Sequence, residues 1–212
     1  MRTQRPDFSL EQTLLLAGDG PVAGIDEAGR GPLAGPVVAG CVILPQAAAW
    51  VAELHDSKQL SAVQRTALFE QIIATAACGI GEASAAEIDA LNIHHATLLA
   101  MQRAFAAMHA ANAGLQCGHV LVDGKFAPSL ACPATAVVKG DSRSLSIAAA
   151  SILAKVYRDR LMQAAHESYP MYGWSRNAGY PTAAHLAALA AHGVTALHRR
   201  SFAPVRAILA AS

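Results

Sequence analysis

Short apolar runs punctuated by glycine, proline and acidic turns fill the first two thirds of the chain, and helical periodicity dominates the rest. Pro21 to Asp26 reads as a buried strand, and Pro36 to Leu44, with Val37, Val38, Val42 and Ile43, as the next. Ser61 is placed to cap a helix predicted to run to about Ala77, with Leu68, Ile72 and Ile73 on its apolar side. Cys78 to Ala83 reads as a strand, followed by helices over Ala85 to Leu91 and Asn92 to about Ala111. Two short strands follow: His119 to Asp123, running into Gly124, and Ala134 to Val138, running into Lys139-Gly140-Asp141. A long helix from about Ser144 to Ala165, an aromatic loop from Tyr169 to Tyr180, and a helix opened by Pro181 and stopped at Gly193 complete the pattern. Strands early and helices late predict an α/β chain with a mostly helical C-terminal part. One domain over residues 1–212 is expected, with an α/β core over about 21–165 and the helical part over about 166–212.

Composition narrows the class. The chain is 53% hydrophobic and 15% charged, which describes a globular protein and excludes a disordered one. Gly31 to Ala52 holds no charged side chain, but Pro32, Pro36 and Pro45 rule against a spanning helix there. Cys41, Cys78, Cys117 and Cys132 form no C-x-x-C pair, and Met1 to Gln12 carries mixed charge without an apolar run. A reduced, cytoplasmic setting is therefore expected, with no membrane association. No assembly surface stands out, so a monomer is expected.

Charge is unevenly spread. Residues 1–138 hold 7 basic against 12 acidic side chains, and residues 139–212 hold 9 against 3. An acidic part carrying metal ligands and a basic part facing a polyanion would fit that split, and so would a chance asymmetry of solvated faces. Lys139, Arg143, Lys155, Arg199 and Arg200 are candidates to line a surface for a nucleic-acid backbone.

One grammar recurs three times: an apolar strand ends and an acid appears beside glycine. The places are Asp26-Glu27, Asp123-Gly124 and Gly140-Asp141. Strand ends of an α/β sheet open crevices where ligands sit, and converging carboxylates suit hard cations such as Mg²⁺ or Mn²⁺. Two such ions would activate a water and stabilise a leaving oxygen. Singly, Asp123 reads as a turn residue and Asp141 as a helix cap; the coincidence of all three carries the inference. Neighbouring residues of a regular strand face opposite sides, so the strand is expected to twist or end at Asp26-Glu27. Gly29-Arg30-Gly31 follows and suits close approach of a backbone to a phosphate or sugar.

Other residues leave alternatives open. Asp56, in Asp56-Ser57-Lys58, reads as a turn or as a phosphate contact, and Asp159 as a surface ion-pair member between Arg158 and Arg160. His185 reads as a satisfied structural histidine or a substrate contact. Tyr169 and Trp174 fit a packed loop core, whereas Tyr180 fits a ring stacked on a base or sugar. Gly29, Gly31 and Ala34 match a dinucleotide-binding spacing, but Pro32 and Pro36 interrupt the helix that motif needs.

From about Pro21 to Pro204 the chain resembles bacterial type 2 ribonuclease H (ribonuclease HII). The matching segments are Gly24-Ile25-Asp26-Glu27-Ala28-Gly29-Arg30-Gly31-Pro32, Asp56-Ser57-Lys58, Val122-Asp123-Gly124 and Val138-Lys139-Gly140-Asp141-Ser142. Ala149 to Val156, Gly179-Tyr180-Pro181-Thr182 and His198-Arg199-Arg200-Ser201-Phe202 match as well. The resemblance implies an RNase H-like mixed β-sheet flanked by helices, with a helical C-terminal substrate-binding extension. It implies an endonuclease acting on RNA-DNA hybrids and on ribonucleotides embedded in duplex DNA. Asp26, Glu27, Asp123 and Asp141 fall on the family's metal-binding acids. Gly29, Arg30 and Gly31 fall on the loop that reads the ribose 2′-hydroxyl, Lys58 on a phosphate contact, and Tyr180 on the ring packed against the neighbouring deoxynucleotide. Ala178 stands where the family often carries lysine. Two rival functions use parts of the same equipment: a metal-dependent phosphatase or nuclease indifferent to the 2′-hydroxyl, and a silent binder of hybrid duplexes.

Overall fold

The computed structural model describes residues 5–45 and 47–211; the first four residues of the Met1–Gln12 segment lie outside them. Its centre is a five-stranded mixed sheet in the order β3-β2-β1-β4-β5. The strands are β1 (Val22–Ala28), β2 (Val37–Ile43), β3 (Ala77–Ala83), β4 (His119–Asp123) and β5 (Ala134–Val137). β1, β2 and β3 form an antiparallel meander, while β4 and β5 continue the sheet in parallel from β1. The chain thus leaves β1 toward one edge and returns at β4 toward the other. Such a switch point opens a crevice beyond the strand ends.

The helices are α1 (Ser9–Leu16), α2 (Ala62–Thr75), α3 (Ala85–Ala111), α4 (Leu145–Ser168), α5 (Trp174–Asn177), α6 (Ala183–His192) and α7 (Ala203–Ala211). α3 covers one sheet face, where Ile88, Ala100, Met101, Ala104 and Met108 meet Ile25, Val37, Cys41 and Val122. α4 and α2 cover the other, with Leu68, Phe69, Ile72, Ile152 and Leu153 around Val42. The alanine richness has a local cause in α4: Ala148, Ala149, Ala150 and Ala154 are buried, letting the helix lie close to the sheet. A Cβ at Gly24 would stand 2.1 Å from the Ser146 carbonyl carbon, so that strand position has no room for a side chain. This close seat directs Ser151, Lys155 and Arg158, one per turn, toward the crevice.

α3 bends at Asn92, whose backbone is left-handed (φ 66°) and whose side chain caps the second half through the His94 and His95 amides. The two helices expected here are therefore both present, joined end to end. α2 ends at Thr75 because β3 begins at Ala77, opposite Ile43. α6 is capped by the Thr182 hydroxyl and not opened by Pro181. Among the described residues no helix is long and apolar enough to cross a membrane.

Candidate active site

The β1–β4 ladder stops at Ile25 opposite Val122, while β1 stays paired with β2 as far as Ala28 opposite Val38. Of the two alternatives expected at Asp26-Glu27, a twist or an end, the end does not occur there, since β1 runs on to Ala28. What ends is the parallel partner, and both carboxylates border the gap that opens there. Asp26, Glu27 and Asp123 line one cavity of about 440 Å³ with Gly29, Arg30, Gly31, Lys58, Lys155, Arg158 and Tyr180. Asp141 lies in a 3₁₀ turn (Gly140–Ser142) and reaches the same group through Lys58, whose Nζ donates to its Oδ2 at 3.0 Å.

Each acid has one local tether. Asp26 Oδ1 accepts the Glu27 amide at 2.7 Å, and Asp123 Oδ1 accepts the Gly140 amide at 2.6 Å. Glu27 Oε1 pairs with Arg30 at 3.1 Å, leaving its buried Oε2 without a hydrogen-bond partner. Burial first, then the Glu27 and Asp123 charges, push Asp26 well above the usual carboxylate range. Burial likewise raises Glu27 against the opposing Arg30, and raises Asp123 against the Gly140 hydrogen bond. For Lys58, burial is the largest single influence and works against the charge, but the hydrogen bond to Asp141 and the charges of Asp141, Asp56 and Asp26 together outweigh it and hold the lysine above its ordinary value. These acids repel one another in a poorly solvated place, with too little positive charge to settle them.

Asp56 resolves as a turn residue: its Oδ1 accepts the Lys58 amide at 2.9 Å and lies 3.8 Å from Lys58 Nζ. Arg65 donates to the Ser57 and Leu60 carbonyls and fixes that loop. Asp159 pairs with Lys155 one turn earlier at 2.6 Å, not with its neighbours, since Arg160 goes to Glu70 and Arg158 points inward.

Arg199 corrects another expectation. It lines no surface: it is fully buried, and its guanidinium donates to the carbonyls of Gly35 (3.0 Å), Arg30 (2.9 Å) and Gly29 (2.5 Å). Arg158, also buried, donates to Pro36 (2.9 Å), Ala34 (3.1 Å) and Ala178 (3.0 Å). The Leu33 amide adds a bond to the Gly179 carbonyl at 2.8 Å. Two cations thus grip the carbonyls of residues 29–36 from behind, and Arg158 ties that loop to the one carrying Tyr180. A Cβ on Gly29 (φ 94°) would lie 2.0 Å from Arg158 Nε, so only glycine fits between.

Tyr180 is 46% exposed, its ring 3.5 Å from where a Gly31 Cβ would be. Tyr169, Tyr172 and Trp174 pack against one another in the C-terminal core, as expected for the first and last. His185 is structural: buried and outside the cavity, it accepts the Trp174 indole N–H at Nε2 (3.1 Å). Its proton then sits on Nδ1 and is donated to the Tyr180 carbonyl at 2.9 Å. His198 accepts the Thr195 amide at Nδ1 (3.0 Å), which leaves its Nε2–H to donate to His185 Nε2 at 3.2 Å. The bonds accepted at His185 Nε2 and at His198 Nδ1 require both rings neutral. Burial, then His185, lowers His198 to about 4.

A further residue, Glu11 on α1, was not singled out by the sequence. It is buried and accepts from Ser144 Oγ (2.6 Å), the Ser146 amide (2.9 Å) and the Ser146 hydroxyl, fixing the N-terminus of α4.

The family model described as Ribonuclease HII matches residues 23–205. The chain is 56% identical over 207 residues to the ribonuclease HII of Magnetococcus marinus, covering 96% of this chain and 95% of that one. Among solved structures it is similar to the ribonuclease H2 from Pyrococcus horikoshii OT3, with a TM-score of 0.66 and 25% identity over 88% of this chain and 96% of that one. It also shares its fold with Bst-RNase HIII, solved in complex with Mn²⁺, at a TM-score of 0.72 and 20% identity over 90% of this chain and 69% of that one. By fold, by motif and by full-length similarity, the chain belongs to the ribonuclease HII family and is a hydrolase of the ribonuclease H class.

Proposed function

We propose that the chain hydrolyses the phosphodiester on the 5′ side of a ribonucleotide in duplex nucleic acid, in RNA-DNA hybrids and at ribonucleotides embedded in DNA. The observation that carries this reading is one cavity bordered by Asp26, Glu27, Asp123, the Gly29–Gly31 loop and Tyr180. Among the described residues no three acids, histidines or cysteines stand ready as a metal cage. The donor set still fits hard divalent cations: all four candidates are carboxylates, one buried oxygen is unpartnered, and three acids are raised by burial and by neighbouring carboxylate charge. Asp26, Glu27, Asp123 and Asp141 would hold Mg²⁺ or Mn²⁺, with Lys58 and Arg30 yielding their present partners. When bound, such cations neutralise the phosphodiester and act on it as Lewis acids.

The chain's own groups do the rest. The carbonyls of Gly29 and Arg30 are turned inward by Arg199, which leaves the outer edge of that loop to meet the ribose. The 2′-hydroxyl is the group that distinguishes such a nucleotide from its deoxy neighbours. Tyr180 packs on the next deoxynucleotide, and Lys58 neutralises a phosphate oxygen. Water attacks phosphorus, the bond to the 3′-oxygen breaks, and 3′-hydroxyl and 5′-phosphate ends result. The helical part beyond about residue 166 serves substrate binding in this reading. It also separates this function from an unselective phosphatase, which has no use for the paired loops.

The test is a labelled duplex containing one ribonucleotide, incubated with Mg²⁺ or Mn²⁺ beside an all-DNA duplex. One cut immediately 5′ of the ribonucleotide is expected, none in all-DNA, and a roughly tenfold loss for Tyr180→Ala at an unchanged melting temperature. Cleavage of both duplexes alike would replace this reading with the unselective nuclease.

A further inference from the structure

β4 and β5 end side by side, Asp123 opposite Val137, with the Gly124 amide donating to the Val137 carbonyl at 3.0 Å. The segments that leave them, 124–126 and 138–143, therefore emerge together on the β5 side of the acids. Five residues on these segments are exposed: Lys125, Phe126, Val138, Lys139 and Arg143. None of them lines the cavity that holds Tyr180.

Two features set this lip apart from an ordinary solvated edge. Phe126 is 61% exposed and Val138 54%, an apolar pair placed between cations. The Phe126 ring is also propped: it meets His94 edge-on, centroids 4.8 Å apart, and His94 in turn meets His95. Among the described residues Lys125, Lys139 and Arg143 form no ion pair, whereas Arg30, Lys58 and Lys155 at the cavity all do. Lys139 further adopts a left-handed backbone (φ 55°), an uncommon state for lysine that is kept where the chain turns into Asp141.

Unpaired cations flanking an exposed ring are the chemistry of a phosphate-sugar backbone: phosphates take the charges and a sugar face takes the ring. The lip is continuous with the acids, since Lys125 lies two residues after Asp123, and Lys139 and Arg143 lie two residues either side of Asp141. We propose that this lip is a second nucleic-acid contact, gripping the duplex on the far side of the acids from Tyr180. Lys125, Lys139 and Arg143 hold phosphates there, and Phe126 and Val138 pack on a sugar. The inference rests on a duplex being the substrate, as read above.

All five side chains are exposed, so substitution leaves the fold intact, and melting temperatures check that. Binding of fluorescent all-DNA and ribonucleotide-containing duplexes is measured by anisotropy without divalent cations, across a salt series, with heparin as a non-duplex polyanion. The triple variant Lys125→Gln/Lys139→Gln/Arg143→Gln is expected to lower the slope of log affinity against log salt by about 2 to 3, near 0.9 per phosphate contact. Phe126→Ser is expected to weaken both duplexes about fivefold at an unchanged slope and to leave heparin binding alone. An unchanged slope in the triple variant, or wild-type duplex binding by Phe126→Ser, overturns the proposal. Variants that show these effects, beside a wild-type protein that fails to cut at a ribonucleotide, overturn the proposed reaction and leave the lip standing.

Discussion

Two charged regions lie within a few residues of one another along β1 and its loop, and they are satisfied to opposite degrees. The acids at the end of β1 and β4 are raised by burial and mutual repulsion, with Glu27 Oε2 left unpartnered. Behind the Gly29–Pro36 loop, Arg158 and Arg199 are just as buried, yet each guanidinium meets three carbonyls. Beside them, His185 and His198 complete a chain of donors and acceptors that holds only while both are neutral. A buried polar group without partners costs stability, and a ligand that pairs with it would recover that cost. A fully partnered one serves to position something else. In the proposed function the acids are the part that acts, and the arginine-histidine bracket is the part that aims.

The comparison breaks most visibly on the acid side. Replacing Asp26 by Asn, or Asp123 by Asn, is expected to lower kcat about 10³-fold in single-turnover cleavage while the protein stays folded. On the bracket side the order of effects reverses. Arg199→Lys keeps a charge but loses the fork, stranding carbonyls of Gly29, Arg30 or Gly35. Its cost is expected to be about 4 kcal/mol in urea unfolding, with ribonucleotide selectivity reduced beyond any loss of folded protein. A smaller effect sharpens the same side through pH. His198 is neutral in the fold, so its contribution is complete above its unfolded value of 6.5 and is lost as pH falls toward about 4. Wild-type protein is expected to lose about 3 kcal/mol more than His198→Gln over that interval, by urea unfolding at each pH.

The acid side was legible because each acid closes an apolar run beside glycine, a pattern the strand period exposes. Asp26, Glu27 and Asp123 line one cavity, and Asp141 joins them through Lys58. The bracket was not, because arginine in a sequence looks the same whether its partners are water or carbonyls 120 to 170 residues away. Arg158 did leave a trace: Ile147, Ser151, Ala154, Arg158 and Met162 share helical spacing, and all five are buried. Arg199 left none, since it follows Gly193 in a segment without period. The Asp26-Glu27 puzzle was likewise beyond the sequence, because its answer lies in where β4 stops pairing, not in β1 itself.

The central claim is that the acids are uncompensated and wait for cations, and thermal unfolding tests it most directly. A carboxyl raised in the fold adds stability at low pH that disappears as pH rises through its folded pKa. Without divalent cations at neutral pH, Asp26→Asn is therefore predicted to melt above the wild type. Mg²⁺ or Mn²⁺ is then predicted to raise the wild type and to move the variant less. A variant that melts below the wild type without cations, together with no response of the wild type to either ion, would contradict the account.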